Sequence, residues 1–239
     1  MESSIYQSGE YLHRHPTWDV EDSPWKARKI FELLQTYRLE PISVCEIGCG
    51  AGEILNQLYK LMPSDTEFHG YEISPQAYEL AQHREKSRLH YYLKDLTQEN
   101  ILFDLLLVID VFEHVDDYMG FLRQLRPKAN YTLFHIPLDL SAQTVIRGHS
   151  LLHARSNVGH LHYFTKETAL ATLLDTGYEV IGYRFTAGSV ELDKGPLKRK
   201  LAKLPRSLVA SISKPLAAKL LGGFSLLVLA KPAKSLAPH

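Results

Sequence analysis

Residues 45–56, CEIGCGAGEILN, place glycine at alternate positions, Gly48, Gly50 and Gly52, with Glu46 two residues ahead of the first. Without side chains, backbone amides there can approach a nucleotide closely at the start of a helix. Other residues able to do chemistry gather further along. Glu72, Asp95 and Asp110 each close an apolar run. DVFEHV (110–115) then crowds Asp110, Glu113 and His114 together, FHIPLDL contains His135, and GHLHYFT contains His160 and His162. An imidazole with an unperturbed pKa near 6.5 exchanges protons at neutral pH, so His114 is a usable base or a pocket residue. Cys45 and Cys49 are too few for a disulfide framework and lack the further ligands of a zinc site. They read as reduced core or turn residues.

These residues need a scaffold. ISVCEIG (42–48), EFHGYE (67–72), RLHYYLKD (88–95), FDLLLVID (103–110), YTLFHIP (131–137), YEVIGYRF (178–185) and FSLLVLA (224–230) read as strands. The fourth is apolar throughout its middle, as a central parallel strand should be. Between them, Ser23-Pro24 opens a helix with Ile30, Phe31, Leu33, Leu34 and Tyr37 on its apolar side, and Ile54, Leu55, Leu58 and Leu61 mark a second. Ser74-Pro75 opens a third, residues 116–126 form a fourth, and Thr165 caps a fifth that Gly177 ends. Alternating strands and helices predict an α/β fold, a mainly parallel seven-stranded sheet flanked by helices. A basic, proline-broken helical insert precedes the last strand.

A GxGxxG dinucleotide fingerprint needs its third glycine three positions after the second, and here the spacing is two, which argues against a nicotinamide-dependent Rossmann oxidoreductase. With Glu46 in the preceding strand end, the turn instead resembles motif I of the class I S-adenosylmethionine-dependent methyltransferases. Glu72, 20 positions after Gly52, Asp95 in LKDL and Asp110 follow in the family's order. The resemblance covers residues 20–190 and the final strand. It implies that Glu46, Gly48, Cys49, Gly50 and Gly52 cradle the methionine and ribose side, and that Glu72 holds the ribose hydroxyls. Ile73 would lie against the adenine, Asp95 and Leu96 would contact it, and Asp110 and Val111 would pass close to the sulfonium. Trp25 and Lys26 either cover the site or anchor their helix at the surface.

The methyl acceptor then belongs near the ends of the fourth and fifth strands, with His114, Glu113 and His135 as the catalytic candidates. His135 faces the acceptor or is a structural histidine; the sequence does not separate the two. D/E-x-x-E-H strings are similar to those of metal-assisted O-methyltransferases, the ubiquinone-pathway enzymes and the small-RNA 2′-O-methyltransferases. That resemblance makes Asp110, Glu113, His114 and His162 candidate ligands for Mg²⁺ or Mn²⁺, with His160 able to add another. An EH pair at this turn is also widespread in class I enzymes that bind no metal, and no metal is assigned.

The chain has 239 residues, 45% hydrophobic and 23% charged, enough for one substantial core. The expected organisation is one domain over 1–239, with 1–40 as a helical cover, 138–164 as acceptor-side loops and 194–222 as the basic insert. Of the 27 Lys and Arg residues, ten lie in 194–239, which has no Asp or Glu, leaving 17 basic against 27 acidic residues in 1–193. This segment is a solvated face or attracts an anionic or membrane-surface partner. Nucleic acid is disfavoured, because the body is acidic and no aromatic residues interleave the lysines. The N-terminus lacks a signal-peptide pattern and 220–230 is too short to span a bilayer, so a cytoplasmic location is expected. The sequence thus predicts methyl transfer from S-adenosylmethionine, at oxygen, to a small molecule or glycan. The alternative is a non-catalytic protein that binds the same cofactor.

Overall fold

The computed structural model describes residues 9–192 and 209–234. Seven strands, β1 (Ser43–Ile47), β2 (Glu67–Glu72), β3 (Leu89–Leu93), β4 (Phe103–Ile109), β5 (Ala129–Leu138), β6 (Tyr178–Thr186) and β7 (Phe224–Pro232), form one sheet in the order β3-β2-β1-β4-β5-β7-β6. The first five are mutually parallel, and β7 runs antiparallel between β5 and β6. Antiparallel neighbours need no crossover helix, which fits the lack of a long amphipathic pattern between the last two strands. Chain order reverses direction between β1 and β4, and in open α/β sheets ligands bind at the carboxyl ends of strands beside such a reversal.

The helices are α1 (Glu10–Arg14), α2 (Ser23–Tyr37), α3 (Glu53–Leu61), α4 (Pro75–Gln82), α5 (Tyr118–Leu125), α6 (Ala142–Arg147), α7 (His149–Val158), α8 (Lys166–Asp175), α9 (Gly188–Glu191) and α10 (Lys214–Leu221). Alternation along the strands sends side chains to two cores. Leu105, Leu107 and Ile109 pack with Ile30, Leu33 and Leu34 of α2 and with Ile54, Leu55 and Leu58 of α3. Leu106 and Val108 pack on the opposite face with Leu122 and Leu125 of α5, Ala169 and Leu173 of α8, and Ala217 of α10. Local chemistry sets the helix starts: the Ser74 hydroxyl accepts from the Ala77 amide, the Asp117 carboxylate accepts from Gly120, and Thr165 with Thr168 forms a capping box.

One expectation changes. Residues 138–164, read as loops, carry α6 and α7. Ser141 and Thr144 form a capping box that starts α6, and Gly148 and Gly159, at φ +62° and +77°, end α6 and α7. Short polar sequences of this kind show little amphipathic periodicity, so capping is their only sequence signal. The greater part of the basic insert, 194–208, lies outside the described residues. Within them, α10 follows the Ser213 cap, and its Lys219 pairs with Glu167 at 2.8 Å. Among the described residues no helix is long and apolar enough to cross a membrane.

Leu107 is fully buried in the central strand. Leu107→Ala leaves a cavity between β4 and the α2–α3 layer and should cost roughly 2–5 kcal/mol in urea-induced unfolding.

Candidate active site

The turn after β1 sits beside that reversal. Gly48 and Gly52 both adopt left-handed backbone, φ +65° and +78°. A Cβ on Gly48 would meet Val111 at 2.9 Å, and one on Gly52 would meet the Tyr91 ring at 2.5 Å, so neither position admits a side chain. Gly48 and Cys49 donate their amides to the Tyr71 carbonyl at 2.8 and 3.2 Å. The Gly50 amide donates to Glu72 Oε2 at 2.8 Å, while Glu72 Oε1 accepts from the Ile73 and Ser74 amides, each at 2.8 Å. One carboxylate therefore ties the glycine turn to the end of β2. Burial pushes its pKa up, against the three amides that favour the charged form. Cys45 and Cys49 are buried free thiols, raised in pKa by burial.

Glu46 lies under the same turn, 2% exposed, and its Oε2 has no hydrogen-bond partner among the described residues. Burial raises its pKa well above the carboxylate range, only partly countered by the Lys26 ammonium. The amino-terminal segment covers the turn from outside. The Trp18 indole lies against Gly50, where an added Cβ would meet it at 2.7 Å, and the Tyr11 hydroxyl donates to Asp19 at 2.8 Å. Arg14 reaches the Ser156 carbonyl of α7, joining this cover to the 138–164 segment. The sequence offers no periodicity that would single out Trp18; only its place in space does.

At the end of β4, Asp110 adopts φ +53°. Its Oδ1 accepts from His135 Nδ1 at 2.6 Å, and its Oδ2 pairs with Lys26 Nζ at 2.9 Å. Burial works against the charge, but His135 and Lys26 hold the Asp110 carboxyl well below the usual range. For Lys26, burial likewise opposes charge, and Asp110 with Asp22 carries its pKa above the ordinary lysine value. Lys26 therefore enters the site rather than the solvent. Trp25 packs edge-on to His135, ring centroids 6.4 Å apart, and donates to Glu191 at 2.9 Å. His135 Nε2 hydrogen-bonds Thr186 Oγ1 at 2.9 Å, so both ring nitrogens are engaged. Among the two readings of His135, the structure shows the hydrogen-bonded one.

The adenine-side candidates are more scattered. Asp95 is exposed and caps a short turn by accepting from the Thr97 amide at 2.9 Å. The Leu96 side chain is buried in the core, whereas Ile73 is 51% exposed beside Glu72.

Beyond Asp110, the chain turns once through Phe112–His114. The Glu113 carbonyl accepts from the Leu161 and His162 amides at 2.9 and 3.1 Å, which pins GHLHYF against DVFEHV. His114 Nδ1 donates to the Gly159 carbonyl at 3.0 Å, and His160 Nδ1 donates to Asp139 Oδ2 at 2.6 Å. Burial, with His160 beside it, lowers the His114 pKa to about 4, making it a weaker base than its residue type predicts. Glu113, His114 and His160 come together, whereas Asp110 is held by Lys26 and His135, and His162 Nε2 donates to the Val115 carbonyl at 3.0 Å. The expected metal candidates Asp110 and His162 are thus not part of this cluster. Asp139 was missed, although it stands four residues after His135 in the same string.

Asp110→Asn keeps a residue tolerant of left-handed backbone but removes the charge between Lys26 and His135. It should cost about 1–3 kcal/mol near neutral pH. Because the folded pKa of Asp110 is depressed, its contribution is present above the unfolded value of about 3.9 and fades as pH falls below it. Urea titrations of both proteins should therefore converge toward acid pH.

Residues 22–182 match the family described as "Methyltransferase domain". No curated protein matches the chain. Solved structures share the fold at low identity. The magnesium protoporphyrin IX methyltransferase of Synechocystis PCC 6803 with bound SAH is 15% identical, with a TM-score of 0.60 over 88% of this chain and 83% of that one. A putative methyltransferase in complex with the Haloferax volcanii Trm112 activator is 14% identical, with a TM-score of 0.66 over 97% of both chains. The plantazolicin methyltransferase BpumL, with a triazolic desmethylPZN analog and SAH, is 17% identical, with a TM-score of 0.58 over 95% and 90%. This chain belongs to the methyltransferase-domain family and is an S-adenosylmethionine-dependent methyltransferase.

Proposed function

We propose that this chain methylates an oxygen of a small-molecule or glycan acceptor held between the end of β4 and residues 138–164. The residues of the glycine turn fit the cofactor. Gly48 and Gly52 keep a bare, pre-shaped backbone, and Glu72 is fixed by three amides with its carboxylate at the end of β2. The unpartnered Glu46 oxygen is an acceptor for a cationic amine. In this reading Glu46, Gly48, Cys49 and Gly50 hold the methionine and ribose side, Glu72 the ribose hydroxyls, and Ile73 the adenine. Asp95 and the backbone of Leu96 border the adenine, and Asp110 with Val111 borders the sulfur. When bound, S-adenosylmethionine supplies a methyl group activated by its sulfonium. The protein aligns the acceptor with it, excludes water through the Trp18 cover, and accommodates the acceptor's proton.

The observation that carries transfer to oxygen is the polar cluster after β4. A hydroxyl nucleophile carries a proton that must leave, and buried Glu113 beside His114, a turn beyond Asp110, provides groups to receive or direct it. A purely apolar wall would suit a nucleophile without a proton. The fold itself does not select the acceptor, since a magnesium protoporphyrin IX methyltransferase and a plantazolicin methyltransferase share it. A screen of phenols, sugars, quinone precursors, carboxylates and amines, with donor labelled in its methyl group, should return a labelled ether or ester. Labelled amines alone would sink the oxygen assignment.

The cofactor half has its own checks. Calorimetry should show binding of S-adenosylmethionine and S-adenosylhomocysteine and none of NAD(H). Glu72→Gln retains the fold but loses one charged acceptor, and Glu72→Ala loses both oxygens. Their dissociation constants for S-adenosylhomocysteine should rise by roughly tenfold and roughly a hundredfold, as expected for one and two charge-assisted hydrogen bonds. Unchanged affinity in both would place the ribose elsewhere.

A further inference from the structure

Resting on the placement of the ribose at Glu72 proposed above, we infer that His15 is a further cofactor-binding residue, whose Nε2 accepts a hydrogen bond from a hydroxyl or amino group of the bound nucleoside. His15 directly follows α1, in the amino-terminal segment that covers the glycine turn.

Its ring is set in one tautomer. His15 Nδ1 lies 3.2 and 3.0 Å from the two carboxylate oxygens of Asp19. An ionised carboxylate only accepts, so Nδ1 carries the proton and, in the neutral ring, Nε2 keeps a lone pair. Tyr11 steadies both partners. Its ring stacks on His15 with centroids 4.6 Å apart, and its hydroxyl donates to Asp19 at 2.8 Å. The lone pair is hidden, however. The Asp19 side chain is 49% exposed, whereas His15 Nε2 is buried and has no hydrogen-bond partner among the described residues. A polar atom kept from both water and protein is unfavourable, and a ligand that donates to it removes the cost. The backbone that carries this pair is strained as well. Trp18 and Asp19 both adopt left-handed conformations, φ +55° and +54°. Non-glycine residues are held in that region mainly at ligand clamps, active sites and switch segments.

Contacts on either side of His15 place it over the nucleoside. Upstream, a Cβ on Gly9 would touch the Gln76 side chain at the start of α4, at 3.7 Å. Downstream, the Trp18 indole lies against Gly50, whose amide donates to Glu72 Oε2 at 2.8 Å. The segment therefore runs from the end of β2 to the glycine turn, with Glu72 between its two footholds and His15 between them along the chain. A nucleoside with its ribose at Glu72 presents only two kinds of proton donor, the ribose hydroxyls and the adenine amino group. Either suits an imidazole lone pair.

The full-length chain would be titrated by calorimetry with S-adenosylhomocysteine and with 5′-methylthioadenosine, which keeps the nucleoside but lacks the amino-acid tail. His15→Ala should raise both dissociation constants by a similar factor, roughly tenfold for one hydrogen bond. Asp19→Ala leaves the ring unoriented and should raise both by a smaller factor. His13→Ala, on the exposed side of α1, should change neither. Wild-type protein labelled with ¹⁵N-histidine gives a readout that stands even where a variant fails to fold. Its His15 ring signals, assigned through the backbone, should show the Nδ1-protonated tautomer and an Nε2 shift on saturation with S-adenosylhomocysteine. An unmoved Nε2 signal, or unchanged affinity of folded His15→Ala for both ligands, overturns the inference. A loss confined to S-adenosylhomocysteine also overturns it, because the contact would then be with the tail. Unchanged affinity in His15→Ala beside a loss in Glu72→Ala removes His15 alone and leaves the ribose placement standing. The reverse pattern removes the ribose placement and leaves His15 as a cofactor contact.

Discussion

Asp110 occupies left-handed backbone at φ +53°, a conformation that costs a non-glycine residue roughly 1–3 kcal/mol and persists where surroundings over-determine it. Here the surroundings do so from two sides. His135 of β5 holds one carboxylate oxygen and Lys26 of α2 the other, while the Asp110 amide donates to the His135 carbonyl at 3.0 Å. Through Thr186 the same chain of bonds reaches β6, and through Asp22 it reaches the start of α2. One residue at the end of the central strand thus joins four elements. It also turns the chain so that Glu113 and His114 leave the sheet together.

The same edge gathers four carboxylates, and their environments separate them. Asp110 is held ionised by two cationic or proton-donating partners. Glu72 is satisfied by backbone amides, although burial still raises its pKa. Glu46 and Glu113 are buried deepest and carry oxygens without partners among the described residues, so burial drives both well upward. Burying polar groups unsatisfied is unfavourable, and folds tolerate it mainly where a ligand completes the set. One of the two, Glu46, stands in the strand that runs into the glycine turn, and the other, Glu113, lies beside His114 and His160.

Much of this was legible in the sequence because it is local. Strand boundaries followed from apolar runs ended by Glu72, Asp110 and the glycines, and helix starts from Ser23-Pro24, Ser74-Pro75 and Thr165. The glycine spacing separated this turn from a dinucleotide fingerprint, because positive φ and the close approach of Val111 and Tyr91 demand glycine at those positions. Helices α6 and α7 were not legible, since their residues lack an apolar stripe.

What the sequence by itself determined is the scaffold and the glycine turn, where a short-range pattern suffices: a strand, a bare turn, a helix, and an acid closing the next strand. Only the tertiary structure decided which histidine does what. His135, His160 and His162 look alike as isolated residues near a strand end or in a loop. Partners distant in sequence assign them differently: Asp110 and Thr186 take His135, Asp139 turns His160 to His114, and the Val115 carbonyl takes His162. An imidazole's role is set by the group bonded to its other nitrogen, and those groups lie 21 to 51 residues away along the chain.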